Sequence, residues 1–512
     1  MRRMKKVAAA TLTAIMVASI AMGTTESWAR SSTRAAWNNA AAQSKDEEQI
    51  VNDACYAEDG SVTEERNVKS NVYANSEEWA AWKTKWESVR NNFCQIALTP
   101  GENATKLNAA WYSTTEGETP KIKLMDSTGR EIKTYEGVQS VDTDVETVVD
   151  NGTTYTLYPC KVTVTDLTEN TSYQYQYYVN GAWSDTYSYK TQSTESFSIM
   201  YVGDPQIGAS TGQIKGENKE YFAMNDSYNW YHTLNNAVSK FPDLSFIMSA
   251  GDQINQSSVS KDADKLEQQI EYAGFLNPTV LRSLPVAVTI GNHDSKSVNY
   301  SNHFNYPNKQ TSSDNTASKT AAGTDYYFTY GNTLFISIDT NNYNVTTHEN
   351  VIKEATENNP DAKWRVLMFH QDIYGSGYDH SDSDGIVLRT QLTPVFDAND
   401  IDVVLQGHDH TYSRSKMLYG DGQTHGKYEF SLNADGTDYD WDHAYNKNTG
   451  DSITLNPLSS DTAAVEAKDA FTADNKCYTI ESSGKSVVTN PKGTLYMTAN
   501  SASGSKYYAL IN

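Results

Sequence analysis

Cysteine is scarce: four occur in 512 residues, Cys55, Cys94, Cys160 and Cys477, and no two form a C-x-x-C pair. That spacing excludes a zinc knot built on paired thiolates. Four thiols allow three full pairings, and only Cys94 and Cys160 fall within one expected module. A disulfide between them is the pairing expected if the chain is exported. Positive charge is also short, with 41 Lys and Arg against 64 Asp and Glu and a formal net charge of −23. A surface of that sign repels nucleic-acid backbones and anionic lipid, so neither is expected as a partner. Long apolar runs are missing, with one exception. Val7 to Gly23 is apolar or small, follows the basic start Arg2, Arg3, Lys5 and Lys6, and leads to "SWA" at 27–29. The run is short for a membrane span and no stop-transfer pattern follows it. Residues 1–29 therefore read as a cleaved signal peptide, leaving no stable span and a product that is secreted or held at the cell surface. No Cys follows the run, which argues against a bacterial lipid anchor.

The remaining composition, 38% hydrophobic and 21% charged with 34 tyrosines, suits a soluble globular protein, and 512 residues exceed one ordinary domain. Residues 30–75 are polar and without a clear period. In "SEEWAAWKTKWESVRNNF", 76–93, Trp79, Trp82, Trp86, Val89 and Phe93 recur at three or four, which predicts an amphipathic helix with Ser76 as its N-cap. Its tryptophans read as packing residues. Residues 94–193 alternate in short runs between turn residues, the pattern of a small all-β sandwich of fibronectin type III-like form. From 194 to 512 the pattern is that of a layered α/β domain, with helices expected around 219–240, 262–283 and 386–398. A polar stretch, about 419–486, reads as an insertion loop with a helix near 461–470.

Within that second domain, apolar runs stop at polar residues. "FSIMYV" ends in "GDPQIG", "LSFIMSA" in "GDQIN", "LPVAVTI" in "GNHD", "WRVLMF" in "HQD", and "IDVVLQ" in "GHDH". Such runs suit strands buried on both faces, and ligands in these folds sit at strand ends. His408 and His410, two apart, project to one side of an extended chain; alone they could be turn residues. They belong to a larger set: Asp204, Asp252, Asn292, His293, His370, His408 and His410. Carboxylate, amide and imidazole donors of this kind suit two cations roughly 3.5–4 Å apart. Asp252 is the natural bridge. Asp204 and His410 would complete one ion, and Asn292, His370 and His408 the other. An amide donor adds no charge, so the site stays net cationic and attracts phosphate despite the acidic surface. Arg389 and Arg414 could bind phosphate but are expected to pair with local carboxylates. His232, His303, His348, His425 and His443 follow no ligand pattern.

The motifs "GDPQIG", "GDQIN", "GNHD", "MFHQDIYGSGYDH" and "GHDHTYSRS" resemble those of calcineurin-like metallophosphoesterases, and of the purple acid phosphatases among them. The resemblance spans about 94–508. It implies that Asp204, Asp252, Asn292, His370, His408 and His410 are metal ligands for two ions drawn from Fe, Mn or Zn. It implies that a hydroxide held there attacks phosphorus, and that the substrate is a small phosphate monoester. His293 would contact the phosphate or protonate the leaving oxygen, Asp294 would orient His293, and His380 would lie near the leaving group. A phosphodiesterase or nucleotidase, or a catalytically dead surface binding module, are the alternatives. Three departures stand out. Asn255 occupies the position of the tyrosine that colours purple acid phosphatases, so no purple chromophore is expected. Gln206 stands where many relatives have a histidine; it could ligate, contact a bound water, or do neither. Further strands would be expected past Asn512.

Overall fold

The computed structural model describes residues 77–507 and the short segments 15–16, 54–56 and 62–65, apart from 213, 215–216, 311–319, 343, 378–383, 424, 426–427, 433–438, 456–459 and 482–486. Apart from those short segments, the residues of the signal-peptide reading and of the polar segment before 77, and His380, lie outside the described residues. The tryptophan helix is α1 (Glu77–Arg90), and its Trp79, Trp82, Trp86 and Val89 are all buried, as the spacing predicts.

Ten strands follow: β1 (Ala97–Pro100), β2 (Leu107–Ser113), β3 (Lys121–Asp126), β4 (Glu131–Glu136), β5 (Val138–Gln139), β6 (Glu146–Asp150), β7 (Thr153–Val164), β8 (Ser172–Val179), β9 (Ala182–Trp183) and β10 (Tyr187–Lys190). They form two sheets, β1-β2-β7-β5 with β6 beside β7, and β9-β8-β3-β4 with β10 beside β8. Trp111 and Leu107 from one sheet meet Ile122, Tyr175 and Tyr177 from the other in a single core. Alternation explains it: in β8, Tyr173, Tyr175 and Tyr177 are buried while the residues between them are less so. Cys94 and Cys160 are both free thiols, so the expected disulfide is not formed. Each sulfur instead meets an amide, Cys94 that of Asn180 and Cys160 that of Gln139, both at 3.6 Å.

The second domain opens with β11 (Ser198–Val202), α2 (Lys219–Lys240), β12 (Leu244–Ser249), α3 (Asp262–Leu276) and β13 (Val286–Val288). β11, β12 and β13 pair in parallel in that order. Next come β14 (Tyr326–Tyr330), β15 (Thr333–Ser337), α4 (Val345–Asn358), β16 (Trp364–Met368), α5 (Asp384–Ala398), β17 (Val403–Gln406) and β18 (Ser413–Tyr419). With β22 (Thr479–Ile480) and β23 (Thr494–Thr498) they build a seven-stranded sheet, β14-β15-β16-β17-β23-β18-β22. The helix α4 was not expected from the sequence. The period of two then sorts the core. Val366, Met368, Val403 and Leu405 turn inward to the β11–β13 sheet. Leu367, Phe369 and Val404 turn outward to Val351 and Ile352 of α4 and Leu392 and Phe396 of α5. The fold class is thus a β-rich N-terminal domain followed by an α/β domain of two packed sheets with flanking helices.

The polar stretch expected as an insertion loop with a helix near 461–470 does carry that helix, and it has strands as well. It carries β19 (Tyr428–Leu432), β20 (Tyr439–Asn446), β21 (Ser452–Thr454) and α6 (Thr462–Asp474). Tyr428, Ala444, Leu455 and Phe471 are buried against the outer face of the large sheet. Four apolar anchors suffice to seat a segment whose average composition is polar.

Candidate metal centre

Every strand named for its polar end delivers that end to one place. Asp204 follows β11 by way of Gly203, Asp252 follows β12 by way of Gly251, and Asn292 and His293 follow β13. His370 follows β16, and His408 and His410 follow β17 through Gly407. The glycines have a steric reason. A Cβ on Gly251 would stand 2.3 Å from His370 Nδ1, and one on Gly407 would stand 2.4 Å from Asp204 Oδ1. The two sheets are stitched beside the site by Tyr201 of β11, whose hydroxyl donates to Met497 O at 2.9 Å and accepts from the backbone N–H groups of Gln406 and Ala499.

The donor atoms of Asp204, Asp252 and His370 lie within 4.8 Å of one another, and all three residues are buried. His370 Nε2 sits 2.9 Å from Asn292 Oδ1, 3.1 Å from His408 Nδ1 and 3.5 Å from Asp252 Oδ1. Its other nitrogen, Nδ1, donates to Ala250 O at 2.8 Å. That bond leaves a lone pair on Nε2 facing an amide oxygen, a carboxylate oxygen and a second imidazole nitrogen. His410 Nε2 lies 3.4 Å from Asp204 Oδ2, an oxygen with no hydrogen-bond partner, and its Nδ1 is held by Lys506 O at 3.1 Å. Asp204 Oδ1 accepts from the His408 backbone N–H at 2.9 Å.

Crowded acceptors of this kind repel unless a proton or a cation lies among them. With protons alone, the charges redistribute. Burial and the neighbouring Asp252 push the Asp204 carboxyl up to about 8. Burial opposes charge on His370, but Asp252 and Asp204 outweigh it and push the imidazole up to about 10. Burial acts against Asp252 too, yet His370 and His293 hold it well below the usual carboxylate range. Burial, then His370, pushes His408 well down; burial, then Lys506, does the same to His410. In the absence of a cation a proton on His370 would relieve part of this repulsion; a cation would relieve more, because it satisfies several lone pairs at once. The residues present fit a pair of metal ions.

His293 lies at the edge, with Nε2 4.0 Å from Asp252 Oδ2 and its backbone N–H donating to Asp252 Oδ1 at 2.9 Å. Its Nδ1 bonds Asn255 O, which turns Nε2 toward the site. Asp294 was expected to orient this ring. It accepts instead from the backbone N–H groups of Gly291 at 3.0 Å and Gln253 at 3.3 Å, because its buried carboxylate lies under the loops rather than beside the imidazole. Sequence reasoning missed Glu271 of α3. Its Oε2 accepts from the N–H groups of Asn255 and Gln256, at 2.9 and 2.6 Å, and Oε1 packs under Gly208. Arg389, expected to pair with a carboxylate, donates to Ile373 O at 2.6 Å and lies over the Tyr374 ring.

Residues 197–412 match the family model for calcineurin-like phosphoesterases. The chain is a calcineurin-like metallophosphoesterase, a hydrolase of phosphate esters in a family that uses a dinuclear metal centre. Residues 93–191 match the model for the purple acid phosphatase N-terminal domain, which makes it the purple acid phosphatase-like kind. Among solved structures it is similar to the purple acid phosphatase PPD1 from yellow lupin (Lupinus luteus) seeds, at 15% identity and a TM-score of 0.44, over 76% of this chain and 77% of that one. No curated protein matches. Among the described residues no helix is long and apolar enough to cross a membrane.

Proposed function

We propose that the chain is a phosphomonoesterase that works outside the cytoplasm with two metal ions. One observation carries the reading: Asn292 Oδ1, His408 Nδ1 and Asp252 Oδ1 converge on His370 Nε2, at 2.9, 3.1 and 3.5 Å. Asp252 supports a bridging role, since its two oxygens face different partners, Oδ1 toward His370 and Oδ2 toward His293. Asp252, Asn292, His370 and His408 would hold one ion, and Asp204, Asp252 and His410 the other. Mixed N and O donors suit Fe, Mn or Zn. When bound, the ions would supply an activated water and neutralise charge on the phosphoryl oxygens.

The chain's own residues do the rest. The neutral amide of Asn292 keeps the pocket from accumulating negative charge that would repel a phosphate ester. Asp252 orders the 292–293 turn by accepting the His293 N–H. His293, held at Nδ1 by Asn255 O, can carry a proton on Nε2 and give it to the departing alkoxide, keeping its Nδ1 bond throughout. Asn255 cannot form a tyrosinate-to-metal bond, so no purple colour is expected. The basic and apolar N-terminus supports secretion, and the net charge of −23 disfavours nucleic acid as substrate.

Asp252→Ala and His408→Ala should each lose more than about a thousand-fold in turnover of p-nitrophenyl phosphate, roughly 4 kcal/mol in barrier. Metal content should fall below two ions per chain. Turnover that survives in a sample of measured metal content would overturn the assignment. A higher rate on bis-p-nitrophenyl phosphate than on the monoester would favour a phosphodiesterase on the same scaffold.

A further inference from the structure

The two cation positions are unequal. Four protein donors converge on one, from Asp252, Asn292, His370 and His408. The other gathers three, from Asp204, Asp252 and His410. A fourth acceptor stands two residues past Asp204. Gln206 is 1% exposed, and its Oε1 has no hydrogen-bond partner. A buried amide oxygen left this way is costly, so a fold that keeps it needs a reason.

The backbone supplies a second, independent observation. Gln206 has φ 33°, beside Asp204 at 39°, Asp252 at 46° and His408 at 67°. The other non-glycine left-handed residues of the described chain are mostly Asp and Asn, types that tolerate the conformation; Gln206 is the one glutamine among them. Strain of this kind persists where surrounding structure imposes it and gathers at functional sites. The imposing contacts are visible. Gln206 N–H donates to Asp252 O at 2.8 Å, and Ile207 N–H to Gln253 O at 3.3 Å, which clamps the Gln206 turn onto the Asp252 turn. Three of the four neighbouring strained residues already belong to the cation site, and the fourth carries the orphaned oxygen.

Resting on the dinuclear reading above, we propose that Gln206 Oε1 is the fourth protein donor to the Asp204 cation. A neutral oxygen donor gives that position three oxygens and one imidazole, against two oxygens and two imidazoles at the other. The oxygen-rich position is therefore the weaker-binding and harder one. Compared with the imidazole-rich position, its selectivity shifts toward Mn²⁺ and iron and away from Zn²⁺.

The test is metal binding by the full chain, read without turnover. The purified protein is stripped with chelator, reloaded with Mn²⁺ alone, and analysed for ions per chain and for affinity by competition. The wild type should hold two ions with separable affinities. Gln206→Leu should lose the weaker ion, or bind it at least about ten-fold less tightly, and leave the tighter one unchanged. Gln206→Glu, which restores an oxygen at the same reach, should recover the second ion. Thermal unfolding in chelator should show Gln206→Leu as stable as the wild type or more so, because the orphaned oxygen is gone. Wild-type stoichiometry and affinities in Gln206→Leu would overturn the proposal and leave the dinuclear reading standing. A wild type that cannot hold two ions would overturn both.

Discussion

His293 shows how little of a side chain's role follows from its neighbours in sequence. Adjacency suggested Asp294 as its partner, yet the ring is fixed by Asn255 O, 38 positions away, and Asp294 serves two backbone amides. The proposed ligands were picked out because each stands where an apolar run stops, a signal local to the sequence. The orienting contact was not, because it joins two turns that meet only when β12 and β13 pair. The proton-donor role predicts a graded defect. His293→Ala should slow alkyl phosphates by about 10²–10⁴-fold and p-nitrophenyl phosphate by much less, since a good leaving group needs little protonation. Equal losses on both substrates would assign the ring to phosphate positioning. His303 carries a different lesson. It matched no ligand pattern, and it is a core residue, packed 4.2 Å from the Tyr272 ring with Nε2 bonded to Gln269 Oε1 at 3.1 Å.

Helix α3 reads from sequence as a polar element with a modest apolar face, and its acids look solvated. In the fold, Gln268, Gln269 and Glu271 are buried; Gln268 donates to Gln256 O at 2.8 Å, and Glu271 accepts from the Asn255 and Gln256 N–H groups in the turn after Asp252. Nothing in a single sequence separates a buried glutamate from an exposed one on a helix. Glu271 spans two ligand turns, taking the Asn255 and Gln256 N–H groups on one oxygen while the other lies under Gly208. Burial, with Glu267 adding to it, pushes its carboxyl well above the usual range, so the neutral form is at home there. Glu271→Ala should cost about 1–3 kcal/mol in urea unfolding, and should lower kcat through His293, whose anchor is Asn255 O. Glu271→Gln keeps an acceptor oxygen and should restore both. A glutamine variant as impaired as the alanine one would show that the charge matters, not the clamp. The segment between β18 and β22 has a helix near 461–470 that is legible in the sequence, but its strands are not. Its composition is polar throughout, and the few residues that seat it, Tyr428, Leu455 and Phe471 among them, are too sparse to form a period.

The molecule as a whole is braced across its two domains. Trp82 of α1 donates to Met224 O in α2 at 3.0 Å, and Arg90 bonds Asp150 of the sandwich and Glu220 of α2, at 2.8 and 2.9 Å. Acid should loosen this assembly from within. His303 lies between Tyr112 of the sandwich and Tyr272 of the second domain, and burial pushes its imidazole down to about 3. Its folded value lies below the unfolded one, about 6.5. The folded state therefore binds fewer protons, and the stability present above pH 6.5 is lost as pH falls toward 3. The loss reaches about 2 kcal/mol by pH 5. Melting temperature should drop between pH 7 and pH 5, and His303→Gln should flatten that slope; an unchanged slope would remove His303 from the account. One last consequence follows from where the donors originate. Asp204, Asp252 and Asn292 hang from one sheet, and His370, His408 and His410 from the other, so each proposed cation position would draw on both. In the proposed dinuclear centre, the gap between the ions would be a vernier on sheet spacing. Rings such as Phe246 and Phe335, 5.2 Å apart between the layers, would help set a distance that no residue near the phosphate controls alone.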